Sequence, residues 1–317
     1  MFTLTSEITI GGKKFGGVHD VRIKRSIHEL AATAVIKVPV TAVLKQAGTP
    51  NTEVEVAREV KVGDPVEIRL GYDGILNTEF KGFVKQLNLK TPLEILCEDA
   101  FYQCRKRGVT LSGKTTLADV ISRCGLTAGY TAKLALESFQ VPNKPVSWVL
   151  AKLKKDYGLA VFFDLEGRVY ASEPFKTAGE SVKYRLRYNV IKDDDLKYHL
   201  AEDVKLKIKA VCIYRDGTRV EAKIGAEDGT EKTMYFYDVK DQAELAALAA
   251  SELKRHSYDG YSGKIQTFLV PFAAPCMLAE LEDEVYGYRD GRYYIESVET
   301  TFGTGGARRT IEIGLKV

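Results

Sequence analysis

The sequence predicts a mainly β protein in which a small α+β insert separates two β-rich halves. Apolar residues recur at every second position at Val21 and Ile23, from Ala34 to Val40, and again from Val204 to Ala210. This is the period of a strand with one buried face. Helical spacing is confined to a few segments, two of which lie between residues 101 and 175. The order of these patterns therefore places an α+β segment between two regions of strands.

The length of the chain sets the number of domains. Domains usually contain about 100–200 residues, so 317 residues predict two or three of them. The changes in pattern place the boundaries at 1–100, 101–175 and 176–317. We expect the outer two to be β domains, the second of them with one long helix.

Residues 1–100 carry repeated strand and turn signals. After Gly63-Asp64-Pro65, the segment Val66–Leu70 alternates as a strand, and Phe80–Val84 returns after a turn at Asp73-Gly74. Asp-Gly favours a turn because both residues tolerate positive φ. The polar stretch from Gly48 to Arg58 is expected to be an exposed loop.

Residues 101–175 combine helices with a hairpin. Thr116–Ile121 has helical spacing with a cap at Thr115 or Thr116, and Ser147–Tyr157 is a second predicted helix. The segment Leu159–Ala171 predicts two strands joined by a turn at residues 164–167. These features define the insert.

Residues 176–317 return to strand patterns. Lys205, Lys207 and Lys209 alternate with apolar residues, so they form either a solvated strand face or a patch that faces a partner. A turn is expected at Asp216-Gly217. The Ala- and Leu-rich segment Gln242–His256 predicts one long helix. Further strands are predicted at Lys264–Val270, Leu278–Leu281, Arg292–Thr301 and Arg309–Val317.

The two β-rich halves resemble each other in one place. The segments Gly63–Ile68 and Phe80–Val84 are similar to Pro275–Leu281 and Arg292–Val298. Each pair is a strand, a turn that contains glycine and charged residues, and a returning strand with aromatic residues. The similarity predicts a duplicated barrel, although unrelated hairpins can also look alike.

Composition excludes several classes of protein. The formal net charge is +3, from 46 basic and 43 acidic residues, which argues against sequence-specific nucleic-acid binding. No apolar run reaches about 18 residues, so we expect no membrane insertion. The five cysteines form no CxxC pair, and an odd, scattered set argues against a disulfide framework and for synthesis in a reducing compartment.

One motif suggests an enzyme. Gly108–Thr115 matches the phosphate-binding pattern G-x-x-x-x-G-K-[ST], and an apolar run that ends at Asp164 could supply a magnesium ligand. However, Arg105-Lys106-Arg107 stands where a buried strand should precede the loop, and Asp164 starts a tight turn. We therefore interpret the motif as a loop that ends in a helix cap. A P-loop nucleotide-binding enzyme remains the alternative.

Other chemistry has little support in the sequence. The four histidines, at 19, 28, 199 and 256, are far apart and show no metal-binding spacing. Asp193-Asp194-Asp195 could bind a divalent cation but is also typical of a turn or a helix start. We therefore expect no catalytic, cofactor-binding or metal-binding residues in this chain, and no enzymatic activity.

Four stretches, taken in order, resemble a known family. They are the strand pair Val21–Val38, the segment Val62–Gly74 with Phe80-x-Gly82-x-Val84, the helix and hairpin Leu150–Tyr170, and the C-terminal segment from Pro271 through Gly291-x-Tyr293-Tyr294-Ile295 to Gly314. In this order they resemble the late control D-like proteins, which are baseplate hub proteins of Mu-like and related contractile phages. That family shares a fold with the N-terminal part of the type VI secretion spike protein. This chain is short for the family.

The resemblance implies a fold and a role. It implies two related β-barrel domains that form a pseudo-six-fold ring in a homotrimer. Such a hub would adapt the hexameric tail tube to a trimeric spike and would contact other baseplate subunits. It would be made and assembled in the bacterial cytoplasm and end in the tail baseplate of the virion. A hub of a related injection or type VI secretion device would look the same in sequence.

Overall fold

Alternating apolar residues place much of the chain in strands, which account for 52% of the described residues against 16% in helices. The computed structural model describes residues 3–44, 51–136, 139–175, 179–213, 218–237, 239 and 241–317. The predicted mainly β class is confirmed. The turn expected at Asp216-Gly217 lies outside the described residues.

The N-terminal half, residues 1–100, contains nine strands and one short helix among its described residues. The strands are β1 (Leu4–Ile10), β2 (Lys13–Phe15), β3 (Asp20–Ser26), β4 (Thr33–Val38), β5 (Thr41–Leu44), β6 (Thr52–Glu55), β7 (Pro65–Tyr72), β8 (Ile75–Asn88) and β9 (Leu93–Glu98), and the helix is α1 (Val56–Glu59).

The insert, residues 101–175, mixes short strands with three helices among its described residues. In chain order they are α2 (Phe101–Cys104), β10 (Gly108–Leu111), β11 (Thr115–Thr116), α3 (Leu117–Arg123), β12 (Ala128–Thr131), β13 (Ala135–Leu136), β14 (Val141–Pro145), α4 (Val146–Tyr157), β15 (Ala160–Phe163) and β16 (Val169–Ser172).

The C-terminal half, residues 176–317, contains ten strands and one long helix among its described residues, with short 3₁₀ turns at Ala201–Asp203 and Gly287–Arg289. In chain order they are β17 (Ser181–Arg185), β18 (Val190–Lys192), β19 (Lys197–His199), β20 (Leu206–Ile213), β21 (Arg219–Gly225), β22 (Thr230–Phe236), α5 (Gln242–His256), β23 (Gly260–Thr267), β24 (Leu278–Glu282), β25 (Gly291–Gly303) and β26 (Gly306–Lys316).

A single 14-stranded sheet joins the two halves. Its main path runs β18-β23-β26-β25-β3-β4-β9-β8-β7-β1-β2, so β25 of the C-terminal half pairs with β3 of the N-terminal half. The ladders of the described residues form this open path and do not close either half into a separate barrel. The physical reason is that the outer edge of β3 is already hydrogen-bonded to β25.

Each half contributes the same five-strand unit to this sheet. The N-terminal unit has the order β3-β4-β9-β8-β7, and the C-terminal unit has the order β18-β23-β26-β25-β24, with β19 beside β18 on β23. Every neighbouring pair in both units is antiparallel. The chain connects equivalent strands in the same order in both, so the similarity seen in sequence extends to topology.

A shared β-bulge aligns the two units residue by residue. The register of β8 against β9 shifts between Val84 and Gln86, and that of β25 against β26 shifts between Ile295 and Ser297. The backbone N–H of Val84 donates to the carbonyl of Asp64 (2.9 Å), and that of Ile295 donates to the carbonyl of Met277 (2.9 Å). Val84 and Ile295 are therefore equivalent positions.

The insert has a core of its own. Thr116 caps α3 by accepting a hydrogen bond from the N–H of Asp119 (3.1 Å), as the sequence predicts. Helix α4 buries Val149, Leu150 and Leu153 against the hairpin β15–β16. Twenty buried residues, all between Phe101 and Ala171, form this cluster.

The long helix belongs to another small unit. Strand β20 pairs with β21 and β22 in a separate three-stranded sheet, and α5 packs on it through Leu245 and Ala249. Asp241 caps the helix by accepting from the N–H of Glu244 (2.8 Å). Lys205 and Lys209 pair with Asp228 (2.6 Å) and Glu221 (3.0 Å), which is typical of a solvated strand face.

Two sequence expectations need correction. Residues 51–58 are not simply an exposed loop, because they form β6 and most of α1, and Val56 is buried at 2% exposure. Residues 48–50 lie outside the described part of the chain. The strand predicted at Lys264–Val270 spans Gly260–Thr267 instead. The ladder with β26 ends at Thr267 opposite Arg309, and the N–H of Leu269 donates to the Tyr72 hydroxyl (3.3 Å) instead.

Candidate functional site

The most distinctive arrangement of side chains lies where the two halves meet. Seven residue pairs join β3 to β25, from Ser26 opposite Ser297 to Asp20 opposite Gly303. On the outer face, Glu299 accepts from Arg22 (2.6 Å) and lies 3.5 Å from Lys24. We call this ladder and the buried side chains below it the junction.

A buried ion pair lies beneath the ladder. Arg309 of β26 is fully buried and pairs with Glu79 of β8, whose side chain is 3% exposed. Thr300 of β25 donates to the same carboxylate (3.3 Å). Arg309 also donates to the carbonyls of Leu269 (2.5 Å) and Pro271 (2.7 Å). These contacts tie strands of both halves to one charged cluster.

The cluster is suited to holding the halves together. Burying two charges is costly, and only good geometry with additional hydrogen bonds offsets the desolvation. Here the guanidinium has a carboxylate and two carbonyls, while its Nε has no partner among the described residues. We therefore expect the cluster to favour one relative placement of the halves over others.

The phosphate-binding pattern adopts a different structure from a P-loop. Strand β10, which contains Gly108, pairs antiparallel with β14, and β11, which contains Thr115, pairs antiparallel with β13. The Thr115 hydroxyl donates a hydrogen bond to the carbonyl of Thr116 (3.5 Å), and α3 begins only at Leu117. A P-loop instead connects a strand directly to a helix that starts at its lysine and threonine.

Asp164 has a local role. Its carboxylate accepts from the N–H groups of Glu166 (3.0 Å) and Arg168 (2.8 Å) and from the Arg168 guanidinium (2.7 Å). These bonds stabilise the β15–β16 turn. The structure therefore places Asp164 in a hairpin, as the sequence indicates, rather than beside a phosphate loop.

The other candidate residues are dispersed among structural contacts. His28 contacts Glu296 (2.8 Å), and His256 contacts Lys232 (3.4 Å). The backbone carbonyl of Asp193 accepts from the N–H of Leu196 in a turn between β18 and β19. Within the described ranges, no group of three or more histidine, cysteine or acidic residues could hold a metal ion.

Cysteine chemistry is suppressed by burial. Desolvation raises the pKa of Cys97 and Cys104 to about 12, and that of Cys124 and Cys276 to about 11. These groups are therefore thiols near neutral pH. Since the thiolate is the nucleophile and the metal ligand, all four are poor candidates for either role.

Asp99 is the acidic residue whose properties most resemble those of a catalytic group. Burial raises its pKa to about 7, which is the kind of shift often found at functional sites. However, both carboxylate oxygens accept backbone hydrogen bonds, from Ala32 (2.8 Å) and Phe101 (3.0 Å). Asp99 therefore stabilises the connection between β9 and α2, the first helix of the insert.

Comparison with known proteins identifies the fold. No protein-family model and no curated protein matches the sequence. A tail protein of prophage MuSo2 from Shewanella oneidensis matches 98% of this chain over 97% of its own length, at a TM-score of 0.62 and 15% identity. A tail protein from Neisseria meningitidis MC58 matches 99% of the chain over 96% of its own, at 0.60 and 11%.

This chain has the fold of phage tail proteins. A component of the type VI secretion system from E. coli also matches 98% of the chain over 76% of its own, at a TM-score of 0.55 and 10% identity. That component exhibits structural similarity to tail proteins of bacteriophage T4. The resemblance seen in the sequence is confirmed at the level of the fold, whereas the described strands do not close into barrels and the ring and the homotrimer stay predictions.

The junction could not have been found from the sequence. Glu79 and Arg309 lie 230 positions apart in the chain, and neither belongs to a recognisable motif. The only signal was indirect: Arg309 is a charged residue in a predicted strand, and Glu79 immediately precedes one. Among the described residues, no helix is long and apolar enough to cross a membrane.

Proposed function

We propose that this chain is the structural hub subunit of a contractile-tail baseplate. A fold supports many functions, so the likeness to tail proteins is not sufficient alone. The observation that carries the proposal is the duplicated five-strand unit, aligned by equivalent bulges at Val84–Gln86 and Ile295–Ser297. Three copies of a chain with two such units present six similar units around one axis.

Six units with three-fold symmetry suit an adapter. In the proposed ring, one face matches a hexameric tail tube and the other a trimeric spike. The ring closes through head-to-tail contacts, in which different surfaces of neighbouring copies meet. The chain would act through these interfaces with tube, spike and other baseplate subunits, without catalysis, in the tail baseplate of a virion assembled in the bacterial cytoplasm.

The proposed role depends on the fold and its interfaces rather than on reactive side chains. The four cysteines analysed above are protonated thiols, and the Gly108–Thr115 pattern is divided between two antiparallel strand pairs. A hub of a related injection or type VI secretion device would use the same ring. Neighbouring genes for tube, sheath and spike proteins distinguish these assignments.

The oligomeric mass tests the proposal. We expect native mass spectrometry of the full-length protein to give three copies of the 35.2 kDa chain. Negative-stain images should show six lobes around a central opening. The protein should also bind its genomic neighbours that form the tube and the spike. A protein that stays monomeric at high concentration and binds neither partner would contradict the hub assignment.

The nucleotide-binding alternative has its own test. ATP with Mg²⁺ should not shift the thermal midpoint of the protein if Gly108–Thr115 is a structural loop. A shift that disappears in Lys114→Ala would instead support an enzyme.

A further inference from the structure

The junction inside one chain also indicates how neighbouring chains meet. Strand β3 of the N-terminal unit pairs with β25 of the C-terminal unit, beyond the bulge of β25. The equivalent of β25 in the N-terminal unit is β8, and the equivalent of β3 in the C-terminal unit is the strand edge of β18 and β19. In a ring of six similar units, the contact within the chain should recur between chains.

Two strand edges are open where this contact would form. Beyond Val84, no described strand pairs with β8 on the side away from β9. Strand β19 pairs with β23 on one side, and no described strand covers its other side. Open edges of this kind are templates for pairing with another chain.

Register determines which residues are equivalent. Ile36 opposite Ile95 corresponds to Ile265 opposite Ile311, because both ladders follow from the shared bulge. Counting along these strands makes Thr33 equivalent to Ser262, and these residues pair with Lys24 and with Lys197. Lys197 therefore corresponds to Lys24, His199 to Ser26, and Leu200 to Ile27.

We propose that β19 of one copy pairs antiparallel with β8 of the next copy in the ring, with His199 opposite Gln86 and Lys197 opposite Asn88. This pairing repeats Ser26 opposite Ser297 and Lys24 opposite Glu299. It rests on the proposed homotrimer and specifies the contact that closes it. The N–H of Leu200 would donate to the carbonyl of Lys85, as Ile27 donates to Glu296 (3.0 Å) within the chain.

Exposed apolar side chains support this assignment. Ile27 is buried at the junction, with 2% exposure, whereas its equivalent Leu200 is 41% exposed. Thr300 is 2% exposed, whereas its equivalent Leu89 is 78% exposed. At both free edges, the residue equivalent to a position buried at the junction is therefore apolar and exposed.

The charges on the two edges are also compatible. Within the chain, Lys24 lies 3.5 Å from Glu299. Its equivalent Lys197 would face Asn88, which donates to Glu94 (3.4 Å). A basic side chain would thus approach a carboxylate in both contacts.

Engineered disulfides test the register. The bond from Ile27 to Glu296 makes Ser26 and Ser297 a non-hydrogen-bonded pair, whose Cα atoms lie about 4.5 Å apart, within the range that a disulfide spans. We expect Gln86→Cys combined with His199→Cys to give covalent dimers and trimers under mild oxidation. Gln86→Cys with Lys197→Cys is the off-register control, at a Cα distance of about 7–8 Å. Each single variant measures the background from native cysteines.

Charge substitutions test the apolar contacts. Leu89→Asp or Leu200→Asp should weaken the trimer at least tenfold in dissociation constant while the monomer stays folded. Ile75→Asp is the matched control, because Ile75 is 74% exposed at the opposite end of β8. Ile75→Asp should leave the trimer unchanged.

The outcomes separate this inference from the proposed function. A trimer by mass without the Gln86–His199 cross-link, or one equally sensitive to all three Asp variants, would overturn the pairing and leave the hub proposal standing. Equal cross-linking by the off-register pair would also overturn it. A monomer throughout would instead contradict the hub itself.

Discussion

At the scale of single residues, the Glu79–Arg309 pair connects the two halves most directly. Arg309 is fully buried, and Glu79 is its only carboxylate partner among the described contacts. Removing one member of a buried pair leaves an uncompensated charge, whereas replacing both with apolar residues is often tolerated. The pair should therefore behave differently under single and double substitution.

We expect Glu79→Ala to lower the free energy of unfolding by about 3–5 kcal/mol, measured by urea denaturation. The double variant Glu79→Met, Arg309→Met should lose much less. Glu7→Ala is the control, because Glu7 pairs with Lys14 on the surface, where such pairs contribute little to stability. Equal losses for Glu79→Ala and Glu7→Ala would contradict a role for the buried pair.

His256 is a second residue with a measurable consequence. Burial, together with Lys232 and Arg255, lowers its pKa to about 4 from an ordinary value of 6.5. Its Nε2 lies 3.4 Å from the ammonium of Lys232, which suits a neutral imidazole that accepts a hydrogen bond. The unfolded chain therefore binds a proton at pH 5 that the folded chain does not.

Stability should fall as the pH drops from about 6.5 to about 4, because the unfolded state binds more protons in that range. His256→Gln keeps an acceptor for Lys232 and does not titrate, so its urea midpoint should depend less on pH there. A pH profile identical to that of the unmodified protein would show that His256 does not control this loss.

At the scale of elements, the sequence correctly predicts those helix caps and ends that depend on neighbouring residues. The cap of α3 at Thr116 and the bounds of α5 at Gln242–His256 agree with the sequence prediction. Both depend on residues within one or two turns, so neighbours in the sequence are sufficient to define them. Elements that depend on distant contacts, such as α1 with its buried Val56, were missed.

The end of α4 gives an element-scale prediction. Gly158 ends the helix in the left-handed region (φ +64°), and a Cβ there would overlap the ring of Tyr235 on β22. Gly167 also has positive φ (+75°), but its nearest contact would be 3.6 Å away. An alanine at either position would therefore carry backbone strain, but only at Gly158 would its Cβ also overlap a neighbouring side chain.

Gly167→Ala should cost about 1 kcal/mol, and Gly158→Ala at least twice as much, because Tyr235 must also move. Thermal or urea unfolding of the two variants measures the difference. Equal losses would mean that the contact between the insert and β22 contributes little to stability.

At the scale of the whole molecule, the halves are not independent in the way their boundaries suggest. The core of the N-terminal half includes Leu269, Phe302 and Ala307 of the C-terminal half. In contrast, the buried residues of the insert's core all come from the insert itself. The insert therefore builds its buried core from its own residues, whereas residues 1–100 share theirs with the C-terminal half.

Fragments test this difference. We expect residues 101–175 alone to fold, with dispersed amide resonances and cooperative unfolding. Residues 1–100 alone should aggregate or remain poorly folded, because β3 loses its partner β25 and the core loses three side chains. A well-folded fragment 1–100 would show that the junction is not needed for the fold of the N-terminal half.

The sequence by itself determined the local elements, the order of β-rich and α+β regions, and the tail-protein fold. Alternating apolar residues, turn residues and helix caps act over a few positions, so they can be recognised without the tertiary structure. Arg105-Lys106-Arg107 and the turn at Asp164 likewise argue against a phosphate loop from the sequence alone.

Only the tertiary structure decided that the two halves share one sheet, with β3 beside β25 and Glu79 beside Arg309. A strand edge offers the same backbone donors and acceptors to any partner, so pairing between residues more than 200 positions apart leaves no local signal. Which edges meet depends on where the whole chain brings them. The same reason makes the open edges of β8 and β19 visible only in the folded molecule.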